Sequence, residues 1–254
     1  MAGNTDQKTL AYINMYGVLG SLVTLCERVP EARKILGQSG CSVGFSVKDG
    51  PHATLTFLGG RCVIGDGVEE AAIRIPFSSP EKFNGMIDGT VTPVPTKGLT
   101  HLPFLLKKFT GLTDLLETYL RPSPERLEDK TFFEDSTAVM FRVIAASVAE
   151  IANHDKVGQF SASNIVDGAI LLEIKDFARA ALIAKDGKLS FSQSLPKTVL
   201  SYMQFADVKT ARDLFDGKIN SVAAVGDGLV RIGGMISQID NVNRILSRVE
   251  LYLK

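Results

Sequence analysis

The feature that most constrains this chain is an internal repeat. Phe77-Ser-Ser-Pro-Glu-Lys-Phe-Asn-Gly-Met-Ile-Asp-Gly-Thr-Val-Thr-Pro-Val and Phe205-Ala-Asp-Val-Lys-Thr-Ala-Arg-Asp-Leu-Phe-Asp-Gly-Lys-Ile-Asn-Ser-Val follow one plan at a constant offset of 128 positions. At that offset Phe77 meets Phe205, Asp88-Gly89 meets Asp216-Gly217, and Met86, Ile87 and Val91 meet Leu214, Phe215 and Ile219. The offset is close to half of the 254 residues, and two copies are too few for a solenoid, so the pattern points to two copies of one fold.

Each copy reads as a strand ending at the Phe, then a short helix opened by Ser79-Pro80-Glu81 or Asp207, where a capping side chain, an early Pro and an acidic group suit the helix N-terminus. Phe83, Met86 and Ile87, or Ala211, Leu214 and Phe215, fall at the spacing of a buried stripe. Asp-Gly ends the helix, with Gly suited to the left-handed position. A strand is expected next, Thr90 to Val94 or Lys218 to Val222, and then a Gly-led turn into Leu99 to Leu102 or Leu229 to Ile232.

The rest of the chain fits around these copies. Thr9 to Val29 has helical periodicity ended by Pro30, and Ser136 to Ile151 matches it in the second half. Val43 to Lys48, Ala53 to Leu58, Arg61 to Ile64 and Ala71 to Phe77 read as strands, as do Ala169 to Ile174, Ala178 to Ala184, Lys188 to Gln193 and Val199 to Phe205. Tight turns such as Gly59-Gly60 and Asp186-Gly187 make consecutive strands antiparallel. His101 to Leu120, interrupted at Gly111, and Met235 to Leu253 close the two halves as amphipathic helices. The Pro-rich, mixed-charge stretch after Leu120 marks a boundary. The expected organisation is therefore an α+β first domain over residues 1–122, a linker over 123–135 and an α+β second domain over 136–254.

Composition narrows the function. With 28 basic and 28 acidic residues the formal net charge is zero, which gives no global attraction for nucleic acid or an anionic membrane. Leu10 to Cys26 is apolar, but Asn14, Gly17, Gly20 and Ser21 interrupt it, so it reads as a buried helix and not as a stable membrane anchor or a secretory signal. Cys26, Cys41 and Cys62 have no metal-binding or redox spacing and suit reduced thiols in a cytoplasmic protein.

No catalytic pattern emerges. His52, His101 and His154 stand far apart, with no metal-ligand spacing. No Gly-x-Ser-x-Gly elbow occurs, and Gly226 to Gly234 does not have dinucleotide-binding spacing. Glu69-Glu70 and Glu125, Glu128 and Asp129 lie in polar turns and read as solvated. Lys97, Lys107 and Lys108 read as a solvated face, with a lipid head group or a CoA phosphate as the alternative. The chain is expected to be no enzyme and to need no cofactor.

Several segments resemble the sterol-carrier-protein (sterol transfer) family. They are Phe45-Ser-Val-Lys-Asp-Gly-Pro, Ala53 to Phe57, Phe77 to Gly89, Leu182 to Ser190, Phe205 to Gly217 and Gly228-Leu-Val-Arg-Ile-Gly-Gly-Met235, spread over nearly the full chain as two tandem units. The resemblance implies that each unit has an antiparallel-rich five-stranded sheet covered by helices on one face. An apolar tunnel between the layers would hold a fatty acid, an acyl-CoA, a sterol or a similar lipid without catalysis. Phe83, Met86, Ile87, Leu105 and Phe109 would line one tunnel, and Leu214, Phe215, Ile232, Met235, Ile236 and Ile239 the other. The chain departs from the family pattern at Thr90-Val-Thr-Pro-Val-Pro and His101-Leu-Pro, where a Gly-rich close is usual, and it ends in no peroxisomal address. The alternative is an interaction module whose two units pack through their apolar faces. The apolar closing helix also leaves a homodimer open.

Overall fold

The computed structural model describes residues 6–253. The chain divides into two compact units, Met1–Val139 and Met140–Lys254, and the division falls inside the helix Lys130–His154. Both units are α+β, with a mixed sheet whose apolar face is buried under helices.

In the first unit, β1 (Cys41–Val47), β2 (His52–Leu58), β3 (Arg61–Asp66) and β4 (Ile73–Phe77) form a sheet in the order β3-β2-β1-β4. Alternation decides the faces. Val43, Phe45, Leu55, Phe57, Ile73 and Ile75 are buried on one side, whereas His52, Thr56 and Leu58 are exposed on the other. Gly59 (φ 57°) and Gly60 (φ 77°) make the two-residue turn between β2 and β3, which needs two positive φ values and so needs glycine.

β4 pairs parallel with β1, on the side away from β2. To reach it, the chain after β3 crosses the outer face of the sheet above Gly44. A Cβ on Gly44 would lie 2.6 Å from Ala71 Cβ and 3.1 Å from Val68 Cβ. The crossing segment is tied down at both ends, since Thr54 donates its hydroxyl to Gly67 O (2.7 Å) and the Ala72 N–H donates to Ser42 Oγ (2.9 Å).

Five strands were expected here, and four form. Thr90 to Val94 is not a strand, and Leu99–His101 is a 3-10 turn. The fifth position is reduced to one bridge, in which Arg74 N–H donates to Lys97 O (3.2 Å) and Arg74 O accepts from Thr96 N–H (2.9 Å). Pro93 and Pro95 have no N–H to continue that ladder.

The second unit does build five strands, β5 (Gly168–Ile174), β6 (Ala178–Lys185), β7 (Lys188–Ser192), β8 (Ser201–Phe205) and β9 (Val230–Gly234), in the order β7-β6-β5-β8-β9. β8 is parallel to β5, and β9 is antiparallel to β8 where the first unit has only its bridge. The expected strand Lys218 to Val222 is replaced by the start of the helix Ser221–Gly226. Its first turn is capped by Asn220, whose side chain accepts from Val222 N–H (2.9 Å) and Ala223 N–H (3.2 Å).

The helices carry two further departures from the sequence reading. Gln7–Arg28 is continuous but π-helical over Ile13–Val18, where Asn14 donates to Asn84 Oδ1 (3.0 Å). It is long and apolar enough to cross a membrane, yet Ile13, Leu22, Leu25 and Cys26 are completely buried in the first unit. The closing helix does not break at Gly111. It is π-helical over Phe104–Phe109 and α-helical over Thr110–Leu120.

The stretch read as a linker contributes packing to the first unit, because Asp135 pairs with Arg28 at 2.7 Å. Just beyond it, Ser136 donates to Tyr119 O (2.6 Å). All three thiols are free and buried. A hydrogen bond from Cys62 holds the Cys26 thiol below its ordinary value despite burial, so the fold pairs two cysteines that the sequence keeps apart.

In the second unit, Asp155 joins three elements. It caps Lys156–Ala162 by accepting from Val157 N–H (2.9 Å) and Gly158 N–H (2.8 Å), and it accepts from Arg248 Nη2 and Tyr252 Oη, both at 2.7 Å. Burial pushes its carboxyl up, but the Arg248, Gly158 and Tyr252 bonds outweigh that and hold it below its ordinary value.

Two stability measurements follow from these contacts. Gly44→Val should lower the stability of the first unit by about 1–3 kcal/mol in urea denaturation, because the crossing segment is already in contact. Asp155→Asn should cost about 1–3 kcal/mol, since it leaves the partly exposed Arg248 without its carboxylate partner. A carboxyl held low in the folded state stabilises fully above its ordinary range and loses that contribution as pH falls through the folded value. The wild type should therefore lose stability on acidification more steeply than Asp155→Asn does. Parallel pH curves would refute this account of Asp155.

Candidate functional site

The register makes the two units comparable position by position. Val47 faces Phe77 as Ile174 faces Phe205, so Phe45 corresponds to Leu172 and, across the hairpin, Phe57 corresponds to Ala184. The repeat offset pairs Phe83 with Ala211.

The first interior is filled by aromatic rings. Phe45 lies 6.2 Å from Phe83 and 5.8 Å from Phe109, Phe57 lies 5.6 Å from Phe104 and 6.1 Å from Phe109, and Phe77 lies 5.3 Å from Phe83, all between ring centroids. These separations are those of favourable tilted and edge-to-face pairs. Of the five residues expected to line a tunnel here, Phe83, Leu105 and Phe109 are buried in this cluster, and Met86 and Ile87 pack half-buried against it.

The second interior is built differently. Leu172, Ala184 and Ala211 stand where the first unit has Phe45, Phe57 and Phe83, and all three are buried. Larger side chains move to the β7 edge, with Leu189 in place of Cys62 and Phe191 in place of Ile64. The six expected ligand residues divide by depth. Ile239 is completely buried, Leu214, Phe215 and Ile232 are half-buried, and Met235 and Ile236 are 40% and 57% exposed. Val222 (79% exposed), Val225 and Leu229 add further exposed apolar surface in the segment between Phe215 and β9.

This face also carries polar groups that periodicity did not single out. Ser201, inward-facing on β8, donates to Gln238 Oε1, and Gln238 Nε2 donates to Val166 O at 2.7 Å. Both side chains are buried. Gln238 sits directly before Ile239 in a helix whose apolar stripe hides it in the sequence. Gly168 (φ 146°) has Leu200 directly above it, since a Cβ there would come within 2.3 Å of Leu200 Cδ1. Arg142 is buried on the helix Lys130–His154, with its guanidinium 4.8 Å from the centre of the Phe191 ring. Among the described residues, no group of three or more His, Cys, Asp or Glu side chains is placed to hold a metal ion.

No known protein family and no curated protein matches the chain by sequence. Among solved structures, the UbiJ-SCP2 ubiquinone synthesis protein superposes with a TM-score of 0.33 at 12% identity, covering 41% of this chain and 94% of that one. The stereoselective inverting sec-alkylsulfatase Pisa1 from Pseudomonas sp. superposes with a TM-score of 0.26 at 12% identity, over 57% of this chain and 28% of the other.

The contrast between the two interiors can be measured. Phe83→Ala should destabilise the first unit by about 3–5 kcal/mol in chemical denaturation, because it opens a cavity among Phe45 and Phe77. A loss below about 1 kcal/mol would show that the ring cluster is not tightly packed.

Proposed function

We propose that this protein is a non-catalytic carrier of an apolar small molecule, a fatty acid, acyl-CoA, sterol or similar lipid, and that the second unit holds it. The observation that carries this reading is the exchange of three core phenylalanines for Leu172, Ala184 and Ala211 under a rim of half-exposed apolar side chains. Ligand sites are concave and mostly apolar, with a few convergent polar groups, and this face has that composition. Affinity would come from burial at about 0.8 kcal/mol per methylene, so a long hydrocarbon needs few directed contacts. The first unit, with its rings in mutual contact, serves in this reading as a rigid scaffold. Three free buried thiols suit a reducing compartment, and we place the carrier in the cytoplasm.

Mass spectrometry of gently purified protein should reveal a co-purified lipid, and a fluorescent fatty acid should bind and be displaced by unlabelled lipid. Met235→Asp and Ile236→Asp should weaken that binding at least about tenfold while circular dichroism stays unchanged, because both residues are already in contact with solvent. Ala211→Phe should reduce occupancy by filling the interior. Absence of bound lipid together with failure of the wild type to bind the probe would overturn the carrier reading. Undiminished binding by all three variants would move the site elsewhere.

A further inference from the structure

We infer that the free edge of β9 is a self-association surface, against which a second copy of this chain pairs its own β9 in the antiparallel sense. The proposal stands independently of lipid carriage. β9 ends its sheet, with β8 on one side only. Ala206 N–H donates to Leu229 O (2.8 Å) and Met235 N–H donates to Leu200 O (3.2 Å). By the alternation of an antiparallel ladder, Leu229, Arg231, Gly233 and Met235 therefore bond to β8, whereas Val230, Ile232 and Gly234 turn their N–H and C=O groups to the open edge. Ile232 is half-buried there and Gly234 is exposed. Two of the other edges are blunted. On β4, Lys97 and Thr96 take the Arg74 N–H and C=O, and Pro76 has no N–H to offer. On β7, the Asn153 side chain accepts from Leu189 N–H (3.0 Å) and donates to Leu189 O (2.7 Å). Among the described residues β9 has neither device, and an unguarded edge recruits another strand.

The occupant is a second copy because the edge is complementary to itself. A two-fold axis through Ile232, normal to the sheet, keeps the inner faces on the same side and pairs Val230 with Gly234 of the partner subunit, Ile232 with its own equivalent and Gly234 with Val230 of the partner subunit. All three outward-facing residues then exchange hydrogen bonds. A centre one residue earlier would instead set Arg231 against its own copy, and like charges directly opposite are unfavourable. Centred on Ile232, the exposed Arg231 lies on the outer face beside Gly233 of the partner subunit. Gly233 is overhung by the ring of Tyr202, since a Cβ there would lie 2.6 Å from Tyr202 Cε1, and that ring is 40% exposed. The bare glycine lets a guanidinium reach the aromatic face from across the new ladder. At each end of the ladder Leu229 (37% exposed) comes beside Met235 (40% exposed) of the partner subunit, which covers apolar surface on both copies.

The test is sedimentation equilibrium of the full-length protein from about 1 to 100 μM, combined with residue-resolved amide hydrogen exchange. At the upper end the wild type should sediment at twice the mass of the chain. The amides of Val230, Ile232 and Gly234 should become protected as concentration rises, whereas those of Arg231 and Gly233, already bonded to β8, should not change. Ile232→Pro removes an outward N–H that the β8–β9 ladder does not use, so the folded variant should be monomeric. Arg231→Glu should weaken association at least about tenfold, and Arg231→Lys should retain part of it. A wild type that stays monomeric over this range would overturn the proposal and leave the edge to a strand from a different protein, and this arm does not depend on any variant folding. A dimer whose amide protection does not alternate along β9, or one that persists undiminished in folded Ile232→Pro and Arg231→Glu proteins, would also overturn it by placing the contact on another surface.

Discussion

Each unit depends on inserting its fourth strand in parallel beside its first. That insertion places β1 and β5 in the interior of their sheets, with a neighbour on either side, and commits one whole face to burial. In the first unit the route to this arrangement is narrow. The chain leaving β3 passes over the outer face where Gly44 has no side chain, and the hydroxyls of Ser42 and Thr54 hold it there. A residue with a Cβ at position 44 would compete for the same volume, so one glycine permits the topology that the apolar alternation then stabilises.

The duplication gives two solutions to one packing problem. A fully buried Phe contributes roughly 2–3 kcal/mol through burial, and the first unit uses several in mutual contact. The second unit forgoes that gain at three matching positions and leaves Met235, Ile236, Val222 and Leu229 in contact with water. It retains order by other means. Asp155 ties the C-terminal helix to the capped turn at Lys156, and Gln238 ties the same helix to Val166 and Ser201. Polar joints thus substitute for part of a hydrophobic centre, with Met203, Phe205 and Val230 still buried and Ile232 on β9 half-buried.

Much of this architecture was legible from residue order, and the exceptions have physical causes. Eight strands could be read because Val, Ile and Phe alternate with polar residues between glycine turns, and the repeat fixed their equivalence. Thr90 to Val94 looked extended for the same reason, but Pro93 and Pro95 remove the donors that a ladder requires. Lys218 to Val222 looked like strand from its place in the repeat, although Asn220 was an available capping signal for the helix Ser221–Gly226. The parallel pairing was hidden because local turns determine only antiparallel neighbours. For the candidate site, the apolar residues were visible, but their depth was not. Periodicity gives Phe83 and Leu214 the same stripe, whereas the fold buries one among rings and leaves the other half-open. Arg142 and Gln238 were passed over because each lies on a helix whose neighbours are apolar.

The distribution of the thiols has a practical consequence. Cys26, Cys41 and Cys62 all belong to the first unit, are all buried, and come from its N-terminal helix, β1 and β3. A thiol-alkylating reagent can reach them only when that unit opens, so labelling kinetics constitute a native clock for its fluctuations, while the other half of the chain stays chemically silent. The molecule therefore carries its own reporter for separating the breathing of one half from that of the other.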